Sequence, residues 1–132
     1  MCGIAGCYQQ ADGHKLTDVM TDRIAHRGPD ASGIWSHEDD RVSIHLGHRR
    51  LSIIDLSAAA DQPLSKGGVT LVYNGELYNY KELRAELASY GVSFVTFSDT
   101  EVVLEAWRHW GPASLSRFRW IRALSWTRSS RA

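Results

Sequence analysis

A cysteine directly behind the initiator methionine can become the chain's own N-terminus, and this sequence begins Met1-Cys2-Gly3. Once Met1 is removed, Cys2 carries a thiol and a free α-amine on one residue. The α-amine has a reference pKa of about 7.7–8.0, far below the lysine value of about 10.4, so a usable fraction is unprotonated near neutral pH. Such a residue supplies its own general base, which a thiol of pKa about 8.5 needs if it is to attack a carbonyl. Three further places hold reactive types. Asn74-Gly75-Glu76 follows an apolar run and precedes a helical pattern, a strand-to-helix turn whose backbone N–H groups can face an anion or oxyanion. Arg50 stands at the edge of an apolar extended segment. Asp99 follows Ser98 at a helix start, where it reads either as a first-turn acid favoured by the helix dipole or as a binding residue. His45 and His48 suggest a metal pair, but three apart on a strand they point to opposite faces, and no metal site is expected.

The elements that must position these residues are legible from pattern. Residues 3–9 form a short apolar, glycine-containing strand ended by the turn Asp12-Gly13, which puts Cys2 at the entrance of a sheet. Leu16, Val19, Met20 and Ile24 recur at helical spacing, and His26-Arg27-Gly28-Pro29-Asp30 stops that helix in a rigid, charged loop that is a candidate wall of a site. Residues 32–37 and 42–48 read as strands around the acidic turn Glu38-Asp39-Asp40, a solvated tip. Residues 58–68 read as a surface loop. Residues 69–73 are apolar and β-branched, so this strand is expected to be central and covered on both faces. A helix follows over 79–90, with Gly91 at its end, then a short strand over 93–97. Ser98 caps a last helix that buries Val102, Val103, Ala106 and Trp107 and ends at Gly111-Pro112. Cys7 lies inside the first strand as a small core residue.

The chain has 132 residues, enough for one domain that buries roughly two-thirds of its unfolded surface. Hydrophobic content of 43% and charged content of 23% place it among soluble globular proteins, and no apolar run is long enough to span a membrane. No secretory signal opens the sequence, and two cysteines exclude a disulfide framework or a zinc pattern. A reducing cytoplasm is the expected location. The formal net charge of zero hides an asymmetry: residues 1–116 hold ten Lys/Arg against all fifteen Asp/Glu, while residues 117–132 hold five arginines and no acid. Such a basic end can bind nucleic acid, but it also has the composition of out-of-frame translation of a G/C-rich coding sequence. No nucleic-acid partner is expected.

Five motifs occur in order: Met1-Cys2-Gly3-Ile4-Ala5-Gly6, His26-Arg27-Gly28-Pro29-Asp30, His48-Arg49-Arg50-Leu51-Ser52-Ile53-Ile54-Asp55, Tyr73-Asn74-Gly75-Glu76-Leu77-Tyr78-Asn79-Tyr80 and Ser98-Asp99-Thr100-Glu101. Together they resemble the N-terminal glutaminase domain of glutamine-hydrolysing asparagine synthetases and their close relatives, the class II glutamine amidotransferases of the N-terminal nucleophile hydrolase fold. The resemblance runs from Met1 to about Leu115. It implies an α+β, four-layer αββα sandwich of antiparallel sheets. It implies Cys2 as the nucleophile that forms a thioester with glutamine and releases ammonia, with Asn74 and Gly75 as the oxyanion hole. It also implies Arg50 on the substrate α-carboxylate, Glu76 and Asp99 around its α-ammonium group, which reverses the reading of Asp99 as a mere helix acid, and Leu51, Ser52 and Ile53 lining the pocket.

Two departures qualify the match. The family's ATP-using synthetase domain, with its Ser-Gly-Gly-x-Asp-Ser loop, has no counterpart in this sequence, so ATP and magnesium are expected only in such a partner domain and no cofactor is expected in this chain. After Phe118 the family's apolar strand is replaced by Arg119-Trp120-Ile121-Arg122-Ala123-Leu124-Ser125-Trp126-Thr127-Arg128. Residues 1–116 are therefore expected to be a partial amidotransferase domain and 117–132 an aberrant basic tail, truncated or frameshifted, leaving the sandwich incomplete at its C-terminus. The expected function is glutamine hydrolysis within an asparagine synthetase-like enzyme. The alternative is a catalytically inert fragment of one.

Overall fold

Residues 43–50 read Ser-Ile-His-Leu-Gly-His-Arg-Arg, and a strand sends such side chains alternately to two faces. In the computed structural model, which describes residues 2–52, 57–121 and 124–128, this segment is the centre of a three-stranded antiparallel sheet. β1 (Gly3–Tyr8) lies along one side of β3 (Ser43–Arg50) and β2 (Ala31–Glu38) along the other, with Gly3 and Ala31 opposite Arg49 and Arg50. The β2–β3 turn is an exposed acidic tip, in which the Asp39 carboxylate accepts the N–H groups of Arg41 and Val42 at 2.8 and 2.7 Å.

Helix α1 (Gly13–Arg23) covers the outer face of this sheet. Its apolar spacing marks the helix correctly but not its packed face: Leu16 and Val19 are 42% and 48% exposed, whereas Gly13, Thr17 and Thr21 are buried. Close approach explains this. A Cβ on Gly47 of β3 would collide with Thr21 Oγ1, so only small side chains fit, and the Thr21 hydroxyl is satisfied by donating to the Thr17 carbonyl at 2.7 Å. His45 points toward α1, with its ring nitrogens 2.8 Å from Ser43 Oγ and 2.9 Å from Ser36 Oγ. His48 points the other way, as the strand period requires.

The second sheet orders β4 (Leu64–Lys66), β5 (Val69–Tyr73) and β8 (Leu124–Arg128), all antiparallel, with β5 central and every one of its residues buried. It contacts the first sheet through β3 and β5, and helices α2 (Tyr80–Ser89) and α3 (Asp99–Trp110) close its outer side. The order of layers is helix, sheet, sheet, helices. Leu71 and Tyr73 of β5, Leu87 of α2 and Val102 and Leu104 of α3 form the main core. A two-stranded ribbon, β6 (Glu76–Leu77) with β7 (Trp120–Ile121), has its first strand between β5 and α2 in sequence.

The strand expected over residues 93–97 is absent; that segment is irregular, with Val95 and Phe97 77% and 78% exposed. A carboxylate has taken the place of a sheet partner. Glu101, buried in the first turn of α3, accepts the N–H groups of Val95 (3.0 Å) and Thr96 (2.7 Å) and the Thr96 hydroxyl (2.8 Å), and pairs with Lys66 at 3.0 Å. These donors hold its carboxyl below the usual range despite burial. Ser98 caps α3 as expected, accepting Glu101 N–H at 3.3 Å.

Candidate active site

Cys2 immediately precedes β1, and the register of β1 against β3 brings it beside the end of β3. Leu51 N–H donates to Cys2 Sγ at 3.3 Å, and Sγ lies 3.7 Å from the Leu51 carbonyl. Arg27 Nε donates to the Cys2 carbonyl at 3.1 Å, Asp30 N–H donates to the Arg50 carbonyl at 3.0 Å, and Asp30 Oδ2 accepts Ser52 N–H at 2.7 Å. The charged loop between α1 and β2 is thus a wall of the Cys2 site. Arg50 is buried, and its Nη1 donates to Asp61 Oδ1 at 2.6 Å and to the Ser57 carbonyl at 2.9 Å.

The second wall comes from the end of β5. His48, two residues before Arg50, is fully buried and donates from Nε2 to the Tyr73 carbonyl at 3.1 Å. Burial lowers its pKa from 6.5 to about 4, the Tyr73 carbonyl offsetting part of the effect, so the ring is neutral at pH 7 with its proton on Nε2. That bond brings the end of β5 to the same edge of the first sheet where Cys2 and Leu51 meet. Asn74 follows, half-buried, its side chain making no hydrogen bond among the described residues; Gly75 and Glu76 are exposed. Asp99, buried at the start of α3, lies behind this turn and accepts Leu77 N–H at 3.0 Å. Burial pushes its carboxyl up, the Leu77 N–H acts against that, and Glu76 adds a smaller upward push.

The family model for the glutamine amidotransferase domain matches residues 1–132. The chain belongs to this family. Among curated relatives it is 41% identical to asparagine synthetase [glutamine-hydrolyzing] 1 of Bacillus subtilis, over 98% of this chain and 21% of that protein. It is 40% identical to amidase chry2 of Gibberella zeae, over 90% of this chain and 20% of that one. The chain therefore spans about a fifth of the length of these relatives. Among solved structures it resembles glutamine phosphoribosylpyrophosphate amidotransferase from B. subtilis, with a TM-score of 0.73 at 22% identity, over 96% of this chain and 34% of that one. The likeness shows the fold, that of the N-terminal nucleophile hydrolases, in agreement with the layered α+β architecture.

Of the residues singled out in the sequence, Cys2 meets Leu51, which Arg50 and Ser52 flank; Asn74, Gly75 and Glu76 follow Tyr73, whose carbonyl His48 of β3 holds; and Asp99 meets Leu77 just beyond them. Ile53 lies outside the described residues. Sequence reasoning misses the groups that hold these walls in place. Asp61 and Gln62 lie in a segment whose composition reads as surface loop, and the spacing of His48 from His45 suggests only a metal ligand; a glutamine abutting a proline between two apolar strands is the one available signal.

Proposed function

We propose that this domain hydrolyses L-glutamine to glutamate and ammonia, with Cys2, freed of Met1, as the nucleophile. Sγ attacks the side-chain carboxamide carbon, the C–S bond forming as the carbonyl pair moves onto oxygen; the α-amine passes the thiol proton to the leaving nitrogen, and the C–N bond breaks as the oxyanion collapses to the thioester. Water then adds to the thioester carbon, the C–S bond breaks, and a proton from that water restores the thiol as glutamate leaves. Asn74, through its side-chain amide, and Gly75, through its N–H, receive the oxyanion. Loss of one such donor costs on the order of 3 kcal/mol of transition-state stabilisation. Arg50 takes the α-carboxylate, Glu76 and Asp99 the α-ammonium group, and Leu51, Ser52 and Ile53 line the space between. The observation that carries this reading is the meeting of Cys2 Sγ with Leu51 N–H at 3.3 Å, at the edge where the Tyr73 carbonyl is held by His48.

In a longer enzyme of asparagine synthetase type, the ammonia would amidate a carboxylate activated by ATP and magnesium in a further domain; aspartate is the default acceptor. A reducing compartment such as the cytoplasm suits a thiol nucleophile, and no helix among the described residues is long and apolar enough to cross a membrane. The test is glutamate release from glutamine by the chain with Met1 removal verified by mass. Release abolished in Cys2→Ala supports the reading. A cooperatively folded, processed chain that releases none overturns it and leaves an inert fragment.

A further inference from the structure

Residues 57–62, before β4, look like a connector, yet the adjacent side chains of Asp61 and Gln62 reach into different walls of the site. Asp61 Oδ1 and the Ser57 carbonyl both accept from Arg50 Nη1, at 2.6 and 2.9 Å, so both hydrogens of that nitrogen are committed to this segment. Gln62 is buried and turns the other way. Its Oε1 accepts Tyr73 N–H at 2.5 Å and its Nε2 donates to Thr100 Oγ1 at 3.3 Å. One carboxamide thereby ties the end of β5 to the first turn of α3, next to Asp99. With His48 on the Tyr73 carbonyl, both backbone groups of the residue preceding Asn74 are held by side chains. Gln62 is itself seated against β2, where a Cβ on Gly33 would collide with its carbonyl oxygen.

We infer that Asp61 and Gln62 are positioning residues of the glutamine site with divided duties. Asp61 orients the guanidinium that receives the substrate α-carboxylate, and Gln62 fixes the turn that presents Asn74 and Gly75 to the oxyanion. The inference rests on the glutaminase reading above. Neither side chain acts on substrate directly. Their kinetic signatures differ because of what they position. The carboxylate contact is made equally in ground and transition states, so disturbing Arg50 raises KM. The oxyanion contact exists only as the tetrahedral centre forms, so disturbing the turn lowers kcat.

The experiment is steady-state glutamine hydrolysis by the full, Met1-processed chain and four variants, each first checked for cooperative melting. Asp61→Ala is expected to raise KM about ten-fold with kcat within about two-fold, and Asp61→Asn, which keeps an oxygen acceptor for Nη1, to recover most of that KM. Gln62→Met, which keeps the volume and removes both hydrogen bonds, is expected to lower kcat about ten-fold with KM within about two-fold. Gln62→Glu, which keeps the acceptor for Tyr73 N–H, is expected to recover part of kcat. A lowered KM in Asp61→Ala, as for a carboxylate competing with substrate, overturns the inference, as does a common factor on KM and kcat in both positions. Should Gln62→Met not fold, Gln62→Glu, which loses the donor to Thr100, tests that duty: kcat lowered with KM unchanged supports it, and wild-type kcat overturns it. Absence of turnover and of glutamine binding in folded wild type fells the glutaminase reading; turnover with unaltered Asp61 variants fells this inference alone.

Discussion

His48 gives the clearest link between one side chain and solution behaviour. Its pKa in the fold, about 4, lies below the ordinary 6.5 because burial disfavours the cation, so between those values the unfolded chain binds the proton that the folded chain refuses. Its contribution to stability is complete above pH 6.5 and is lost as the pH falls toward 4, by on the order of 3 kcal/mol. Urea unfolding at pH 7 and pH 4.5 is expected to show that loss in wild type and a flatter response in His48→Gln; equal losses would place the titration elsewhere. Asp99 titrates in the opposite sense, its carboxyl raised by burial. If it receives the α-ammonium group of glutamine, protons compete for it, and KM for glutamine climbs as the pH falls through the acid range. Asp99→Asn is expected to show KM raised about thirty-fold or more at every pH without that climb. Cys2 draws attention in the sequence by its place behind Met1, whereas Arg50, Asn74 and Gly75 take their proposed roles from the family motifs around them. His48 cannot be singled out, since a lone histidine in a strand carries no mark of what its ring will meet.

At the scale of elements, the strands and helices that bury continuous apolar faces are legible in the sequence, and those that bury something else are not. Helix α1 presents Thr17 and Thr21 to β3 because Gly47 lets the backbones approach, and no hydrophobic period announces a threonine face. Gly47→Ala is expected to destabilise by about 1–3 kcal/mol through overpacking, seen as a lower midpoint in thermal melts followed by circular dichroism; an unchanged midpoint would mean that α1 can retreat freely. Residues 93–97 alternate like a strand, but the Glu101 carboxylate takes the N–H groups of Val95 and Thr96 that a neighbouring strand would need. Glu101→Gln replaces one accepting oxygen by a donor facing those donors. A loss of about 2 kcal/mol or more, measured by urea unfolding, is expected.

At the scale of the whole molecule, layering and the central place of β5 follow from its β-branched, largely apolar composition, whereas the partners of residues 120–121 and 124–128 do not follow from theirs. Pairing across more than forty residues depends on register with a distant strand, not on local pattern. Asn79 joins the same regions, accepting Arg119 N–H and donating to the Arg117 carbonyl, each at 2.9 Å. A chain ended after Phe118 would strip β8 from β5 and β7 from β6. It is expected to aggregate, by light scattering, and to lose glutamine turnover; a monomeric, active product would show that β5 tolerates an open edge. The pairing of β1 has a consequence for biosynthesis. β3 is the only strand that β1 pairs with among the described residues, so while the ribosome has yet to release Ser43–Arg50, the nascent N-terminus has no sheet to enter. On the reading that Cys2 is the nucleophile, that interval is when removal of Met1 would act on a segment not yet paired as β1.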